Sequence, residues 1–173
     1  MSDTHEEITS RMNDKREREA IELACKILEK KSGEKNIILL PFSKKIAGTK
    51  EEIEIYSDNG DIIIISKDLK TVQAVEVKRL SDTNFMSHFT DRKSWTLPNF
   101  IVDGVWQIQN KKIKVYLYMC FNANLTHLAA IYPHKTIEHW KIENKNGNGS
   151  KKDYYVVDPD LIEFKKVEDL LNG

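Results

Sequence analysis

Gly60-Asp61-Ile62-Ile63-Ile64-Ile65-Ser66 and Val72-Gln73-Ala74-Val75-Glu76-Val77-Lys78 decide how this chain is read. Continuous runs of Ile and Val mark strands buried on both faces. Between them, Lys67-Asp68-Leu69-Lys70-Thr71 has the length and composition of a hairpin connection. Pairing around that turn sets the start of the first strand against the end of the second. Asp61 is therefore expected beside the Glu76 to Lys78 end, within about one residue of register. An ionised group in such a run costs on the order of several kcal/mol to desolvate unless it is paired or coordinates a metal.

Residues two apart on a strand share a face, so Glu76 and Lys78 point one way and Val75 and Val77 the other. Asp61 and Glu76, with the backbone carbonyl of Val77, suit a hard divalent cation that keeps several of its waters, Mg2+ above all, with Mn2+ able to substitute. Lys78 beside that ion would stabilise developing negative charge or assist deprotonation of a bound water. Metal-assisted hydrolysis of a phosphodiester needs these parts.

At these residues the chain resembles the PD-(D/E)xK nuclease superfamily. Gly60-Asp61 corresponds to the first half of the motif, with glycine where the family name has proline, and Glu76-Val77-Lys78 to the second. The resemblance covers roughly residues 14–132. It implies an α/β, restriction-endonuclease-like core of the form αβββαβ: a helix, a three-stranded antiparallel meander, a crossover helix and a parallel strand, with helices flanking a mixed sheet. It also implies Mg2+-dependent cleavage of nucleic acid, DNA more than RNA.

An acid-x-Lys triplet is not specific by itself, because charged residues make up 31% of the chain. The pattern also begins at Glu29, Asp68, Asp91, Glu143 and Glu163. Only Glu76 and Glu163 sit in strand-like contexts, and Glu163 has Asp160 as its nearest upstream acid, leaving no room for a partner strand. The competing reading of Asp61, Glu76 and Lys78 is a buried salt bridge without chemistry.

With 173 residues, one domain with a proper core is expected. It divides into a flexible N-terminus (1–12) and a nuclease-like domain (13–173), whose core spans about 14–132 with C-terminal decoration over 133–173. Lys+Arg and Asp+Glu balance at 27 each, so bulk charge does not hold a polyanion, and any basic rim is local. Cys25 and Cys120 form no pair motif and read as buried, reduced thiols. No apolar run approaches a membrane span and the N-terminus is polar and acidic, so a soluble, cytoplasmic protein without membrane contact is expected.

From Asn13 to Lys31 the pattern is helical, with Ala20, Ala24, Ile27 and Leu28 on one stripe. A helical wheel puts Glu17 inside that stripe and Glu22 and Glu29 on the opposite face. The family often contributes a helix glutamate to its site, and Glu17 is the candidate; the alternative is a helix-end glutamate reaching water. Asn36 to Phe42 is an edge strand or approach segment, interrupted at Pro41. Glu52 to Tyr56 alternates as a half-buried strand. Lys44 and Lys45, in the loop Ser43 to Lys50, are candidate phosphate contacts, as are Arg92 and Lys93 beside Trp95. The plainer reading is favoured for both: an ordinary solvated loop over Ser43 to Lys50 and core packing for Trp95.

Pro98 can open a crossover helix over Phe100 to Ile108, with Asp103 and Gln107 on one side at i and i+4. A strand over the same residues competes with it. In some members of the resembling family a crossover-helix glutamine completes the site, which makes Gln107 a candidate at a longer spacing from Lys78. Ile113 to Phe121 is a strand and Thr126 to Tyr132 its partner. A short helix follows Pro133, Asn144 to Lys152 reads as a flexible basic loop, and a strand (Tyr154 to Val157) and a helix (Lys166 to Leu171) close the chain. The histidines show no zinc spacing, and no nucleophile elbow or dinucleotide fingerprint occurs.

Two functions remain. The first is a Mg2+-dependent nuclease, most simply a small DNA endonuclease of restriction, repair, junction-resolving or mobile-element type, for which a homodimer would fit paired cuts. The second is a catalytically inactive nucleic-acid-binding or regulatory module on the same fold.

Overall fold

The computed structural model describes residues 5–33, 36–39, 61–80, 100–110, 113–147 and 150–173. The expected strand at Glu52 to Tyr56, the lysines Lys44 and Lys45, and Arg92, Lys93 and Trp95 lie outside the described residues. Among the described residues no helix is long and apolar enough to cross a membrane.

Helix α1 spans His5–Ser32 and begins upstream of the Asn13 start that the apolar stripe suggests. The added turns are rich in charged helix formers, which need no apolar face to continue a helix. Ala20, Ala24, Ile27 and Leu28 are buried and Glu22 and Glu29 exposed, so the helix has the phase read from its stripe. Its last turn carries Lys30 and Lys31 against the negative end of the helix dipole. Gly33 at φ +55 then supplies the left-handed residue that commonly ends a helix.

Strands β1 (Asn36–Leu39), β2 (Ile62–Ser66) and β3 (Val72–Arg79) form an antiparallel meander. The β2–β3 hairpin falls where the sequence places it. Its turn is held by the Ser66 N–H to Thr71 carbonyl bond (3.1 Å) and by Asp68, whose carboxylate accepts from the Ser66 hydroxyl (2.5 Å) and the Lys70 N–H (3.2 Å). Leu69 sits at φ 58 and is 70% exposed.

The crossover is not the expected helix. Phe100–Gly104 is a strand, β4, and only Val105–Gln109 is helical, as the single turn α2. The β-branched and aromatic start of this segment favours pairing, and Gly104 breaks the helical pattern where the two meet. Asp103 and Gln107 therefore do not share one helix.

The chain then returns parallel to β3 as β5 (Val115–Phe121) and turns into antiparallel β6 (His127–Ile131). That turn is organised by buried Asn122, whose Oδ1 accepts from the N–H groups of Thr126 (2.8 Å) and His127 (2.9 Å). A short helix α3 (Pro133–Thr136) leads to β7 (Lys141–Gly147) and β8 (Ser150–Val157). These two strands pair from Lys141↔Val156 to Gly147↔Ser150, where a flexible loop is expected from composition. Between the last pair, Gly147 and Ser150, the sequence has Asn148-Gly149, a strong hairpin signal hidden by the surrounding lysines. Strand β9 (Glu163–Lys166) and helix α4 (Val167–Asn172) end the chain.

Among the described residues the result is a mixed α/β architecture with two sheets. The larger has six strands in the order β1-β2-β3-β5-β6-β9, and the smaller three in the order β4-β8-β7. On one face of the large sheet, α1 packs through Ala20, Ala24 and Leu28 onto Ile62, Ile64, Val75, Val77 and Met119, joined by Val167, Leu170 and Leu171 of α4. On the other face Tyr118, Cys120, Ala129 and Ile131 pack against Val102, Trp140 and Val157 around the small sheet. Strand β5 is buried on both faces, as its continuous apolar run requires. Beyond Tyr132 the chain contributes to both sheets, since β9 extends the large one along β6 and β8 pairs with β4.

Candidate functional site

The hairpin register determines what gathers at the C-terminal end of β3. Pairing runs from Ile65↔Val72 to Ile62↔Val75, and the next residue on β2 is Asp61, level with Glu76. Two hydrogen bonds hold it there. The Asp61 N–H donates to the Val75 carbonyl (3.1 Å), and the Val77 N–H donates to Asp61 Oδ2 (2.8 Å). Glu76 is thus bracketed by the two residues that Asp61 grips. The Asp61 side chain is buried, with 5% residual exposure. Its carboxylate takes the place of the backbone acceptor that β2 would have supplied had it continued, so it satisfies an N–H that burial would otherwise orphan.

Alternation then fixes the faces. Val75 and Val77 point to α1, and Ile62 and Ile64 do the same on β2. Glu76 and Lys78 consequently belong to the opposite face, beside the small sheet, while Asp61, just before β2, keeps its carboxylate at the Val77 N–H. In the parallel register Glu76 aligns with Tyr118 and Lys78 with Cys120, both of which pack on that face. The register shifts at Ala74/Val75, where Val115 and Leu117 align with consecutive residues of β3 and leave Tyr116 as the extra residue of a bulge. Bulges re-aim side chains and concentrate next to sites. This one lets β5 keep Leu117 and Met119 toward α1 while Tyr118 meets Glu76.

A residue in a ladder directs its N–H and C=O to the same neighbour. Because the Val77 N–H goes to Asp61, the Val77 carbonyl opens on that same side, past the end of β2. Asp61, Glu76 and the Val77 carbonyl are hard oxygen donors at neighbouring positions of the hairpin, residue types that would suit Mg2+ with waters completing its shell. Among the described residues no three His, Cys, Asp or Glu side chains gather as a metal group, so the protein's side-chain ligands would be the carboxylate pair.

Glu17 reaches this end of β3 from the other face. It is half-buried on the α1 stripe and lines a cleft of about 470 Å³ with Arg16, Ala20, Val77, Lys78, Arg79 and Leu80. Its lining carries Arg16 and Glu17 from α1, and the Arg79 guanidinium there is paired with Glu19. The cleft therefore sets Glu17 beside the end of β3, Val77 to Leu80, while Glu76 faces the other side of the sheet. Gln107 lies on α2, and Lys44, Lys45, Arg92 and Lys93 are outside the described residues.

Arg79 is the residue the sequence reading missed. Its Nε donates to the Ala123 carbonyl (2.9 Å), and its Nη1 reaches the Arg16 carbonyl and Glu19 Oε2, each at 3.1 Å. One planar fork thus ties α1, the end of β3 and the β5–β6 turn together beside the cleft. Its position directly after Glu76-Val77-Lys78 was visible in the sequence; its partners were not.

The other reactive groups are structural. Cys25 and Cys120 form no disulfide and are buried. Burial, with Glu29 and Glu22 nearby, pushes the Cys25 thiol up to about 11, far from a nucleophile at neutral pH. His134 stacks on Tyr116 with ring centroids 5.0 Å apart, and His127 Nδ1 lies 2.8 Å from Thr126 Oγ1.

The chain matches no protein-family model, no curated protein and no solved structure at a significant level.

Proposed function

We propose that this protein is a divalent-metal-dependent nuclease with a restriction-endonuclease-like core, acting on DNA in preference to RNA. One observation carries the reading: a buried aspartate just before β2 bonds the residues on either side of Glu76, with Lys78 next on the Glu76 face of β3. The antiparallel meander β1-β2-β3 followed by parallel β5 supports it, because the resembling family places its motif on that arrangement.

In this reading Asp61 and Glu76 hold Mg2+ or Mn2+, and the cation offsets the repulsion between the two carboxylates. When bound, the ion polarises a phosphoryl oxygen and makes a water more acidic. Lys78 places its ammonium where negative charge develops on the phosphate, and Arg16 at the cleft positions the strand through a phosphate. Glu17 acts from the α1 side as a positioning residue.

The alternative, a binding module without chemistry, has its own observation: the bond from the Val77 N–H gives Asp61 a sufficient structural reason to be buried. Supercoiled, linear, branched and single-stranded DNA and RNA, each incubated with Mg2+, Mn2+ or EDTA, separate the two. Cleavage that needs the metal and disappears in Glu76→Gln is expected. Binding without cleavage under every condition would establish the alternative.

A further inference from the structure

On the α1 face of the large sheet, at the end away from Glu17, several elements bring aromatic and ionisable side chains together. Tyr116 of β5 and Tyr132, just after β6, both pack into the core under α1. Their rings meet edge to face, with centroids 5.9 Å apart. His134 of α3 lies parallel to Tyr116 at 5.0 Å and edge-on to Tyr132 at 5.9 Å. Three ammonium groups stand around this aromatic floor. Lys135 Nζ is 4.3 Å from the centre of the Tyr132 ring, and Lys31 Nζ, from the last turn of α1, reaches the Tyr132 hydroxyl at 3.5 Å. Lys165 of β9 is the third. Its Nζ is 3.7 Å from Glu163 Oε2, and Lys135 Nζ is 3.8 Å from Glu163 Oε1.

Within these contacts Glu163 is the single carboxylate, shared by two of the three lysines, so the cluster keeps a cationic excess. The whole chain balances at 27 basic and 27 acidic residues, and such an excess is therefore a local property of this face. Exposed pairs near 4 Å hold weakly, and the Lys135 and Lys165 side chains remain 54% and 39% exposed. Both ammonium groups can turn to a phosphate, which lysine binds as a point charge. Burial, then Glu163, raises the pKa of Tyr132, so its hydroxyl stays protonated beside Lys31. The floor also limits how far the cations wander, which lowers the entropy lost when a ligand arrives. The tyrosine rings themselves do not serve as stacking surfaces, since Tyr132 is buried with Lys135 over it and Tyr116 is covered by His134. What the cluster presents is charge, suited to a nucleic-acid backbone. Lys31 follows Glu17 by about four turns of α1, about 21 Å along the helix. At ~3.4 Å per phosphate of one strand, that is about six base pairs of duplex.

We propose that Lys31, Lys135 and Lys165 form a backbone-contact surface for duplex DNA, apart from the cleavage site, that holds phosphates without reading base sequence. A duplex engaged at the Glu17 cleft is long enough to reach it. In taking DNA as the partner the proposal rests on the nuclease reading, but it requires neither metal nor cleavage.

The test is fluorescence anisotropy in EDTA, over a range of salt, with a labelled duplex longer than the span from Glu17 to Lys31. Oligo(dT) of equal length and polyglutamate serve as competitors. Combining Lys31→Ala, Lys135→Ala and Lys165→Ala should flatten the salt dependence of duplex binding by roughly 2.7 in log–log slope, about 0.9 per phosphate contact. Each single change should flatten it by about 0.9, which keeps the proposal testable if the triple variant fails to fold. Glu163→Gln should tighten duplex binding roughly two- to fivefold, because it releases two lysines from an exposed pair. A cluster that serves only to hold the sheet predicts the opposite sign, since losing the shared carboxylate would loosen it. Wild-type slope in the folded lysine variants, no tightening in Glu163→Gln, oligo(dT) bound more tightly than duplex, or equal competition by polyglutamate would each overturn the proposal. Because binding is read without metal, lysine-dependent duplex binding in a protein that never cleaves sinks only the nuclease reading. Cleavage by a protein whose duplex binding ignores these lysines sinks only this one.

Discussion

Asp61 has two possible jobs, and single substitutions can separate them. Asn at this position keeps an oxygen to accept the Val77 N–H but removes the charge, whereas Ala removes both. Asp61→Asn should fold with a melting temperature at or above wild type and lose cleavage by on the order of a hundredfold or more. Asp61→Ala should lose cleavage equally and also about 1–3 kcal/mol of stability, the cost of a buried N–H without a partner. Thermal melts beside a cleavage assay decide the matter; wild-type cleavage in Asp61→Asn would remove the residue from the chemistry. Glu17 is tested by contrast with Glu22, one half-buried at the cleft and the other exposed. Glu17→Gln should slow cleavage about tenfold with the fold intact, as losses behind the primary ligands commonly do, and Glu22→Gln should be silent. Equal rates in the two variants would exclude Glu17. The meeting of Asp61 and Glu76 was legible in the sequence because a hairpin fixes its own register. The bond to the Val77 N–H was not, since it depends on where β2 stops.

At the scale of elements, the β2–β3 turn holds Leu69 in a conformation that L-residues with a β-carbon resist. Leu69→Gly should stabilise by up to about 1 kcal/mol, the left-handed strain relieved less the extra freedom of glycine in the unfolded chain. That corresponds to a rise of about 2–4 °C in Tm. A fall in Tm would mean that the exposed leucine packs on something. The Ser66 hydroxyl, then the Lys70 N–H, hold the Asp68 carboxyl below its usual pKa. Its contribution is therefore complete above the ordinary carboxylate pKa and lost as pH falls through the lowered value. The Arg79 fork makes a sharper claim. Lysine cannot span the Ala123 and Arg16 carbonyls and Glu19 at once. Arg79→Lys should cost on the order of 2 kcal/mol and speed amide exchange in α1 around Arg16. Unchanged exchange would mean that the helix is held by its apolar stripe alone. Strand and helix periods made α1, β2, β3, β5 and β6 readable. Phe100 to Gln109 was not, because an apolar segment that changes from strand to helix midway satisfies both periods in part.

For the whole molecule, a metal that binds only the folded chain must stabilise it. At about a hundred times its Kd, Mg2+ should contribute about 2.7 kcal/mol, a Tm rise on the order of 5–10 °C for a domain of this size. The rise should vanish in Glu76→Gln and in EDTA. An equal rise in Glu76→Gln would place the ion elsewhere. The mixed α/β class was accessible from the order of apolar runs, yet the second sheet was not. Its strands come from Phe100–Gly104 and from Lys141–Val157, far apart in sequence and individually too charged or too ambiguous to announce a pairing.

The order in which the sheet is built also has a consequence for synthesis. The strands bearing Asp61, Glu76 and Lys78 leave the ribosome early, whereas β9 pairs with β6, and Val167, Leu170 and Leu171 join the core under α1. Until those last residues emerge, β6 has an open edge and α1 packs on an unfinished surface, a state that invites strand addition from other chains. A nascent polypeptide of this sequence therefore carries its acidic pair long before it has the closing segment that steadies it. Its most vulnerable interval is the one before β9 and α4 have emerged.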